Sequence, residues 1–306
     1  MRFLSVIIPC HNQRDNLSRL LDSLAKQSLD ADLFEAVVAD DGSTDDTRAF
    51  LETWHGSFTL KPVFLHGAGG PARARNAAFK QAQGKFVLFL DGDMTAHPDL
   101  LKHHALALLA EPGTANIGKV EPAEEERNNT LAWYRVSRGA FKLGPFATVP
   151  PKYFRTHNAS VSRSLLEKTG GFNEAYCEPG GEDLEIGFRL AGQGASFRVL
   201  RNAVAFHCHP LTLSQHIEKT TRYARGNLRR LITDCPEHGE RGYLFLFRSR
   251  HRGIRAAFNF FFAKSWFRLA RFFAAILPFR NTAYHLYDYI TYRVIYHNLQ
   301  ERHRYD

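Results

Sequence analysis

The stretch that decides the fold is Phe86-Val87-Leu88-Phe89-Leu90-Asp91-Gly92-Asp93. Its five consecutive apolar residues predict a strand that is buried on both faces, as in a parallel sheet. The two carboxylates that follow stand two residues apart, so on an extended backbone they point the same way. Hard divalent cations such as Mg²⁺ and Mn²⁺ bind carboxylate oxygens together with substrate phosphates. Because Asp-Gly is also a common turn dipeptide, this stretch alone predicts a metal site and a solvated turn equally well.

Apolar runs that alternate with helical segments surround this stretch. Three more buried strands are predicted before it, at residues 3–9, 34–39 and 60–65. Helical apolar spacing lies between them, in residues 16–26, in a helix that ends at Trp54, and in one that begins at Pro71. Ser43 or Thr44 is the expected cap of the second helix. The alternation predicts an α/β fold with a doubly wound, mostly parallel sheet and flanking helices.

In doubly wound sheets, ligands bind at the carboxyl ends of the strands, near the topological switch point. The polar residues expected at this edge are His11, Asn12, Asp40, Asp41, Asp91 and Asp93. The carboxylates of Asp40 and Asp41 have two interpretations, which are hydrogen bonds to a base and a ribose, or capping of the following helix. Both hold if the two neighbours divide these roles.

A second carboxylate pair lies later in the chain. Glu182 and Asp183 follow Gly180-Gly181 and open a predicted helix that runs to Leu190. Carboxylates suit the positive end of a helix dipole, so a plain capping pair explains them. At a mobile, glycine-rich entrance, Asp183 also suits a general base.

Two histidines end a further predicted strand, residues 197–206. His207 and His209 share one face of that strand, and either is a candidate metal ligand. The alternative is a structural role, which lone histidines usually have. Without a second Cys/His pair, a structural zinc site is not predicted.

In their order along the chain, these blocks resemble the family-2 glycosyltransferases with the GT-A fold. The matching blocks are Ser5-Val6-Ile7-Ile8-Pro9 with Asn12, Val37-Val38-Ala39-Asp40-Asp41-Gly42-Ser43-Thr44-Asp45, Ala72-Arg73-Ala74-Arg75-Asn76-Ala77-Ala78, Phe89-Leu90-Asp91-Gly92-Asp93, Gly170-Gly171-Phe172-Asn173-Glu174 and Glu182-Asp183-Leu184-Glu185-Ile186-Gly187-Phe188-Arg189-Leu190. The resemblance covers residues 3–230 and is specific for the fold and the general activity, but not for the sugar.

The resemblance implies a nucleotide-sugar site at the sheet edge. Pro9 and Asn12 would line the nucleotide pocket, and Asp41 with Asp40 would bind the uracil and ribose. Arg75 would approach the donor phosphates.

It also implies a metal site and a base. Asp91 would touch the ribose or the metal, Gly92 would belong to the nucleotide-sugar site, and Asp93 would be the main ligand of Mn²⁺ or Mg²⁺. His207 or His209 would complete that site. Asp183, beside Glu182, would deprotonate the acceptor hydroxyl.

The implied reaction is a single displacement that inverts the anomeric carbon. It would move a hexosyl or N-acetylhexosaminyl group from a nucleotide-sugar, with UDP favoured, to a glycan or lipid-linked acceptor. Residues 121–156, which include Trp133, Tyr134 and Lys142, are expected to shape the acceptor side.

The charge is concentrated at the C-terminal end. Residues 241–306 carry 12 Lys and Arg against 3 Asp and Glu, while residues 1–240 balance at 28 against 28. We therefore expect a catalytic domain over 1–240, with a nucleotide-binding half at 1–120 and an acceptor half at 121–240. A basic, amphipathic helical segment is expected over 241–306.

A helix over 254–277 places Lys264, Arg268 and Arg271 on one face, among many phenylalanines. Such a helix suits an anionic membrane surface, although packing against the catalytic body explains it nearly as well. No RNA-binding signature supports a nucleic-acid partner. The four cysteines lack paired spacing, which predicts a reducing compartment. The expected location is therefore cytoplasmic, and peripheral on the cytoplasmic face of the membrane.

Two other functions remain open from the sequence. A metal-dependent nucleotidyltransferase also needs carboxylates near phosphates, but it needs no base as far along the chain as Asp183. A non-catalytic, membrane-associated relative is the other alternative, which the complete set of carboxylates disfavours.

Overall fold

A computed structural model describes residues 2–143, 148–208, 211–236, 252–276 and 280–300. The chain divides into two compact units. The first consists of Met1–Arg127, Val136–Cys177 and Glu182–Pro210, and the second of Asn128–Arg135, Glu178–Gly181 and Leu211–Asp306. The boundary expected at residue 240 lies outside the described residues. It stays a prediction, as does the division at residue 120.

The first unit is built on one mixed sheet. Its strands are β1 (Leu4–Cys10), β2 (Phe34–Asp40), β3 (Thr59–Phe64), β4 (Phe86–Leu90), β5 (Met94–Ala96), β6 (Thr114–Pro122), β7 (Asn158–Ser162) and β8 (Ser196–His207). Within the described residues, their order is β3-β2-β1-β4-β7-β6-β8-β5. The strands from β3 to β4 run parallel, as do β6 and β8, whereas β7 and β5 run antiparallel to their neighbours. The predicted α/β sheet, mostly parallel, is confirmed.

The strand order brings the carboxyl ends of three strands together. β1 lies between β2 and β4, with Cys10 in register with Asp40 and Ile7 in register with Phe89. Each predicted strand matches a strand of the structure within a residue or two at either end. The polar residues that follow β1, β2 and β4 therefore share one edge, as predicted.

Helices cover both faces of the sheet, and the later helices of the chain form the second unit. Those described are α1 (Arg14–Leu24), α2 (Thr47–Thr53), α3 (Pro71–Gln81), α4 (Leu100–Ala110), α5 (Thr130–Ser137), α6 (Arg163–Lys168), α7 (Glu182–Gly192), α8 (Leu213–Arg225), α9 (Asn227–Asp234), α10 (Arg252–Phe261), α11 (Lys264–Ile276) and α12 (Arg280–Gln300). The expected cap of α2 at Ser43 or Thr44 was wrong, because the cap position belongs to Asp46. Ser43 and Thr44 instead hydrogen-bond to Asp40 and Asn12.

Alternate residues of the strands face two cores. Four leucines of α1 are buried in one core, with Leu4, Val6 and Ile8 of β1. The other core holds Ile7, together with the alanines at 72, 74 and 78 of α3. Small side chains let the backbone of α3 approach the sheet closely, which sets the position of the polar residues on the same helix.

The buried side chains of Asn158 and His104 fix the last part of β8. β6 and β8 shift register at Lys119. Asn158 Nδ2 donates to the carbonyls of Lys119 and Ala203 at 3.0 Å each, and Asn158 Oδ1 lies 2.9 Å from His104 Nε2. Burial lowers the pKa of His104 to about 4, so the ring is neutral. This group holds the bulge after which β8 continues to His207.

The second unit has its own aromatic core. Tyr134 contacts the rings of Tyr284, Tyr287 and His216, and its hydroxyl donates to Asp288 at 3.0 Å. Tyr134 was expected on the acceptor side, but the structure buries it in this core. The reason is the pairing of α5 with helices far along the chain, which local periodicity does not reveal.

The single helix expected over residues 254–277 is divided into α10 and α11. Phe262, between them, is buried, and its ring packs against Tyr289 and Tyr296. Arg293 Nε donates to the carbonyl of Phe262 at 3.1 Å, and His297 Nε2 lies 3.1 Å from the same oxygen. Side chains of α12 thus hydrogen-bond to the backbone carbonyl at the break between α10 and α11.

None of the described helices is long and apolar enough to cross a bilayer. No disulfide joins the four cysteines, all of which lie among the described residues.

Candidate active site

The turn after β2 is fixed from the end of β1. Asn12 has φ of 52°, a left-handed conformation that asparagine tolerates better than most residues. Its backbone N–H donates to Ser43 Oγ at 2.8 Å, and its Oδ1 accepts from the N–H of Thr44 at 2.7 Å. Asp40 accepts from the N–H of Ser43 at 3.0 Å and from its hydroxyl. Asn12 and Asp40 therefore hold this turn at the predicted nucleotide edge.

The Asp41 carboxylate holds the glycine loop that leads into α3 through hydrogen bonds. Its carboxylate accepts from the N–H groups of Gly69 and Gly70, at 2.9 Å and 2.7 Å. A Cβ on Gly70, which has φ of 91°, would stand 2.1 Å from the carbonyl oxygen of Cys177. The loop is therefore anchored by Asp41, and only glycine fits at position 70. Direct contacts of Asp40 and Asp41 with a uracil or ribose stay predictions.

A buried arginine lies at the centre of the site. Arg75 on α3 is 3% exposed, and its Nη2 donates to Asp91 Oδ1 at 2.8 Å. Its Nη1 donates to Glu182 Oε1 at 3.1 Å and lies 3.8 Å from Asp183 Oδ1. One guanidinium thus joins the end of β4 to the start of α7. The expected contact of Arg75 with donor phosphates stays a prediction, since carboxylates surround the group here.

The two carboxylates at the start of α7 differ in environment. Asp183 keeps 15% of its side chain exposed and accepts from Thr156 Oγ1 at 2.5 Å. Glu182 is buried, with no hydrogen-bond partner for its Oε2 within the described residues. Burial and the neighbouring Asp183 raise the pKa of Glu182 to about 7. Asp183 is therefore the carboxylate that a substrate can reach, and Glu182 lies behind it as a partner of Arg75.

Asp93 stands beside His207. Their atoms Oδ2 and Nε2 are 3.4 Å apart, because β5 and β8 pair Met94 with His207 directly after Asp93. The backbone N–H of Cys208 also donates to the carbonyl of Asp93 at 2.8 Å. His209, the other candidate ligand, lies outside the described residues.

Gly92 fits a close contact between the strand ends. A Cβ at this position would lie 2.5 Å from Gln13 Oε1 and 3.2 Å from the carbonyl oxygen of Pro9. The absence of a side chain lets the turn that carries Asp91 and Asp93 approach the end of β1. Gln13 was not among the residues predicted at this edge of the sheet. Its position two residues beyond His11, directly after β1, could have indicated that it lies there.

Thr156 and His157 are site residues that the sequence did not reveal. They precede β7, which pairs with β4 through Leu90 and Asn158. That antiparallel pairing carries them to the carboxylates at the end of β4. The only local signal was their position directly before a short segment in which polar residues alternate with Ala159 and Val161.

The chain is similar to known glycosyltransferases in sequence and in fold. Residues 5–170 match the family described as Glycosyl transferase family 2. A validoxylamine A glucosyltransferase of Streptomyces hygroscopicus subsp. jinggangensis is 32% identical over 232 residues, which are 65% of this chain and 54% of that protein. The chain spans 64% of the length of one curated relative and 20% of another.

Two solved structures are similar in fold. The mannosyltransferase PcManGT from Pyrobaculum calidifontis, in complex with GDP-Man and Mn²⁺, has a TM-score of 0.68 and 22% identity, with 99% of this chain and 88% of that chain covered. S. aureus TarS 1–349, in complex with UDP, has a TM-score of 0.58 and 22% identity, with 100% and 92% covered. At these identities the likeness concerns the fold alone.

The raised pKa of Glu182 predicts a pH-dependent stability. The folded state holds a proton that the unfolded state releases above about pH 4.5. Stability is therefore lost as the pH rises from about 4.5 through about 7, by roughly 3 kcal/mol. In Glu182→Gln this loss should disappear, so that its free energy of unfolding relative to wild type rises with pH.

Urea unfolding at several pH values between 4.5 and 8 measures this difference. Glu167→Gln is the matched control, since the Glu167 side chain is 55% exposed. A parallel pH dependence in wild type and Glu182→Gln would show that Glu182 is charged in the folded protein.

Proposed function

The chain belongs to glycosyl transferase family 2, and from this membership we propose that it transfers a sugar from a nucleotide-sugar donor to an acceptor hydroxyl, with inversion. The observation that carries the proposal is the side-chain network of the first unit. Arg75 connects Asp91, at the predicted donor edge, to Asp183, the predicted base. A reaction that joins a donor and an acceptor needs these two groups held at a fixed distance.

We propose a UDP-sugar as the donor. TarS is a fold neighbour with structures in complex with UDP and UDP-GlcNAc, while PcManGT was solved with GDP-Man. In this chain, the turn held by Asn12 and Asp40 offers backbone groups at the edge where a nucleotide would lie. The sugar of the donor and the linkage of the product are not part of the proposal.

The residues fit a site for a divalent cation whose coordination is completed by oxygens of the substrate. Among the described residues, no three His, Cys, Asp or Glu side chains converge as a metal site. Asp93 and His207 stand together, and Asp91 is bound by Arg75. Mg²⁺ and similar cations need only one or two carboxylates when phosphate oxygens supply further ligands. Asp93, with His207, would hold Mn²⁺ or Mg²⁺, which would neutralise charge on the departing diphosphate.

The proposed mechanism is a single displacement. The acceptor hydroxyl gives its proton to Asp183, its oxygen bonds to the anomeric carbon, and the bond from that carbon to the diphosphate oxygen breaks with both electrons on the nucleotide. Thr156 orients Asp183 by donating to Oδ1 at 2.5 Å. Arg75 and Glu182, which are buried, act as positioning residues for Asp183.

We further propose that the second unit meets an anionic membrane surface through α11. The small face of this helix is buried, with Ala270 and Ala274 each 6% exposed. Four of its large apolar side chains are 41–60% exposed, namely Trp266, Leu269, Phe272 and Phe273, whereas Phe267 packs against the core of the second unit. The four exposed side chains leave an apolar surface for a partner.

The charge of α11 complements anionic lipid. Lys264, Arg268 and Arg271 are exposed and lie within about 60° around the helix, next to the apolar arc. The helix contains no Asp or Glu. Each basic side chain near anionic lipid contributes about 1 kcal/mol, and inserted aromatic side chains add to this. The cytoplasmic leaflet carries such lipid, and a lipid-linked or membrane-bound acceptor would lie nearby.

We predict that Asp183→Asn binds donor normally but loses catalysis. The amide keeps the shape of the side chain and cannot accept a proton, so hydrolysis of UDP-sugars, with water as the acceptor, should fall by about a hundredfold or more. Calorimetric affinity for UDP with Mn²⁺ should stay within about twofold of wild type. Hydrolysis near the wild-type rate would exclude Asp183 as the base.

The matched variant Asp93→Asn should behave in the opposite way. It removes the carboxylate proposed to hold the cation, so the Mn²⁺-dependent part of UDP binding should disappear.

The competing function, nucleotidyl transfer, is tested with the wild-type protein. The release of pyrophosphate from a nucleoside triphosphate, without sugar transfer, would point to nucleotidyl transfer and contradict the proposal.

Vesicle co-sedimentation tests the membrane surface. Binding to phosphatidylglycerol vesicles should exceed binding to phosphatidylcholine vesicles and weaken at high salt. Charge reversal in Lys264→Glu/Arg268→Glu/Arg271→Glu should lower the affinity by about a hundredfold. Phe272→Ser/Phe273→Ser should lower it as well. Leu106→Ser/Leu109→Ser is the control, since these leucines are equally exposed but lie on α4. Equal binding of all variants would contradict this surface.

A further inference from the structure

His157 and Asp91 lie one residue beyond the paired ends of β7 and β4. The antiparallel ladder of β4 and β7 pairs Phe89 with Ala159 and Leu90 with Asn158. The next step of the same register places Asp91 opposite His157. Residues directly opposite in an antiparallel pair have Cβ atoms about 5 Å apart, close enough for their side chains to share one ligand.

Side-chain contacts tie the segment that carries His157 to the catalytic groups. Phe89, two residues before Asp91, belongs to the core beneath α3, and Arg75 reaches the Asp91 carboxylate from that helix. Thr156, directly before His157, donates to Asp183, whose Oδ1 lies 3.8 Å from Arg75 Nη1. The turn that holds His157 is therefore bound to the group of carboxylates around Arg75.

Both neighbours of His157 have fixed partners, but its own ring does not. Thr156 donates to Asp183, and Asn158 holds the carbonyls of Lys119 and Ala203. Within the described residues, no hydrogen bond joins the imidazole of His157 to another group. His157 as a whole is half-buried and not enclosed by the core.

Carboxylates lie around this ring. Burial lowers the pKa of His157, and the negative charges of Asp91, Asp183 and Asp93 oppose that shift. Asp91 marks the donor side, Asp93 the proposed cation, and Asp183 the proposed base. An unpaired hydrogen-bonding ring among the three lies where the transferred sugar would pass from donor to acceptor.

We infer that His157 contacts the transferred sugar of the donor through a hydrogen bond from its imidazole to a sugar hydroxyl, and so contributes to donor selectivity. The inference rests on the proposed function, since it assigns the sugar subsite of the same site. A site that hydrogen-bonds a substrate hydroxyl discriminates strongly against sugars that lack the hydroxyl in that position.

The test compares nucleotide binding with sugar use in His157→Phe, which keeps a ring and removes its nitrogens. Affinity for UDP alone, with Mn²⁺, should stay within about twofold of wild type. The kcat/KM for hydrolysis of the preferred member of a panel of UDP-glucose, UDP-galactose and UDP-N-acetylglucosamine should fall by about tenfold or more. Selectivity among the three donors should fall with it.

His157→Gln restores an amide donor and should recover part of the selectivity, which a purely structural role would not do. His55→Phe is the control, because His55 is exposed and distant in sequence from the site residues. Melting temperatures confirm that each variant is folded.

Three results would overturn the inference. A loss of UDP affinity equal to the loss of donor use would place the contact on the diphosphate or cation. Unchanged selectivity in folded His157→Phe would make the ring a structural neighbour of Asp183. A wild-type protein that binds no UDP and hydrolyses no UDP-sugar would overturn the proposed donor itself, and the inference with it.

Discussion

The ion cluster around Arg75 is the interaction on which the rest of the site depends. A guanidinium that is 3% exposed is stable only where carboxylates replace the water it has lost, and Asp91, Glu182 and Asp183 do so here. These groups come from three distant parts of the chain. Removing Arg75 leaves these carboxylates without their buried partner, and removing Asp91 or Asp183 takes a negative charge away from the guanidinium, so the donor edge and the start of α7 are held to each other by electrostatics.

The backbone around the cluster is arranged to hold Arg75 in place. Asp41 binds the two glycine N–H groups directly before α3, and small alanines seat that helix on the sheet. Asn12 fixes the neighbouring turn from β1. The carboxylates that the sequence assigned to nucleotide binding therefore also set the position of α3, and both functions are compatible for residues at a strand end.

The sequence predicted the features that depend on local pattern. Buried strands that end in carboxylates, such as β4 before Asp91, follow from apolar runs and their boundaries. His157 and Thr156 were not predicted as site residues, because only the antiparallel pairing of β7 with β4 brings them to the site. The break between α10 and α11 depends on α12 side chains that bind the carbonyl of Phe262. The outward aromatic face of α11 likewise depends on which side of that helix the second unit covers.

The coupling of the donor edge to the base through Arg75 is tested most directly by Mn²⁺-dependent hydrolysis of a UDP-sugar in Arg75→Lys. Lysine keeps the charge but lacks the planar fork that engages carboxylates on two sides. Arg73→Lys is the matched control, because Arg73 lies on the same helix and bonds to the carbonyls of His66 and Gly67. We expect kcat to fall by about a hundredfold or more in folded Arg75→Lys and to stay unchanged in Arg73→Lys. Wild-type kcat in folded Arg75→Lys would contradict this coupling.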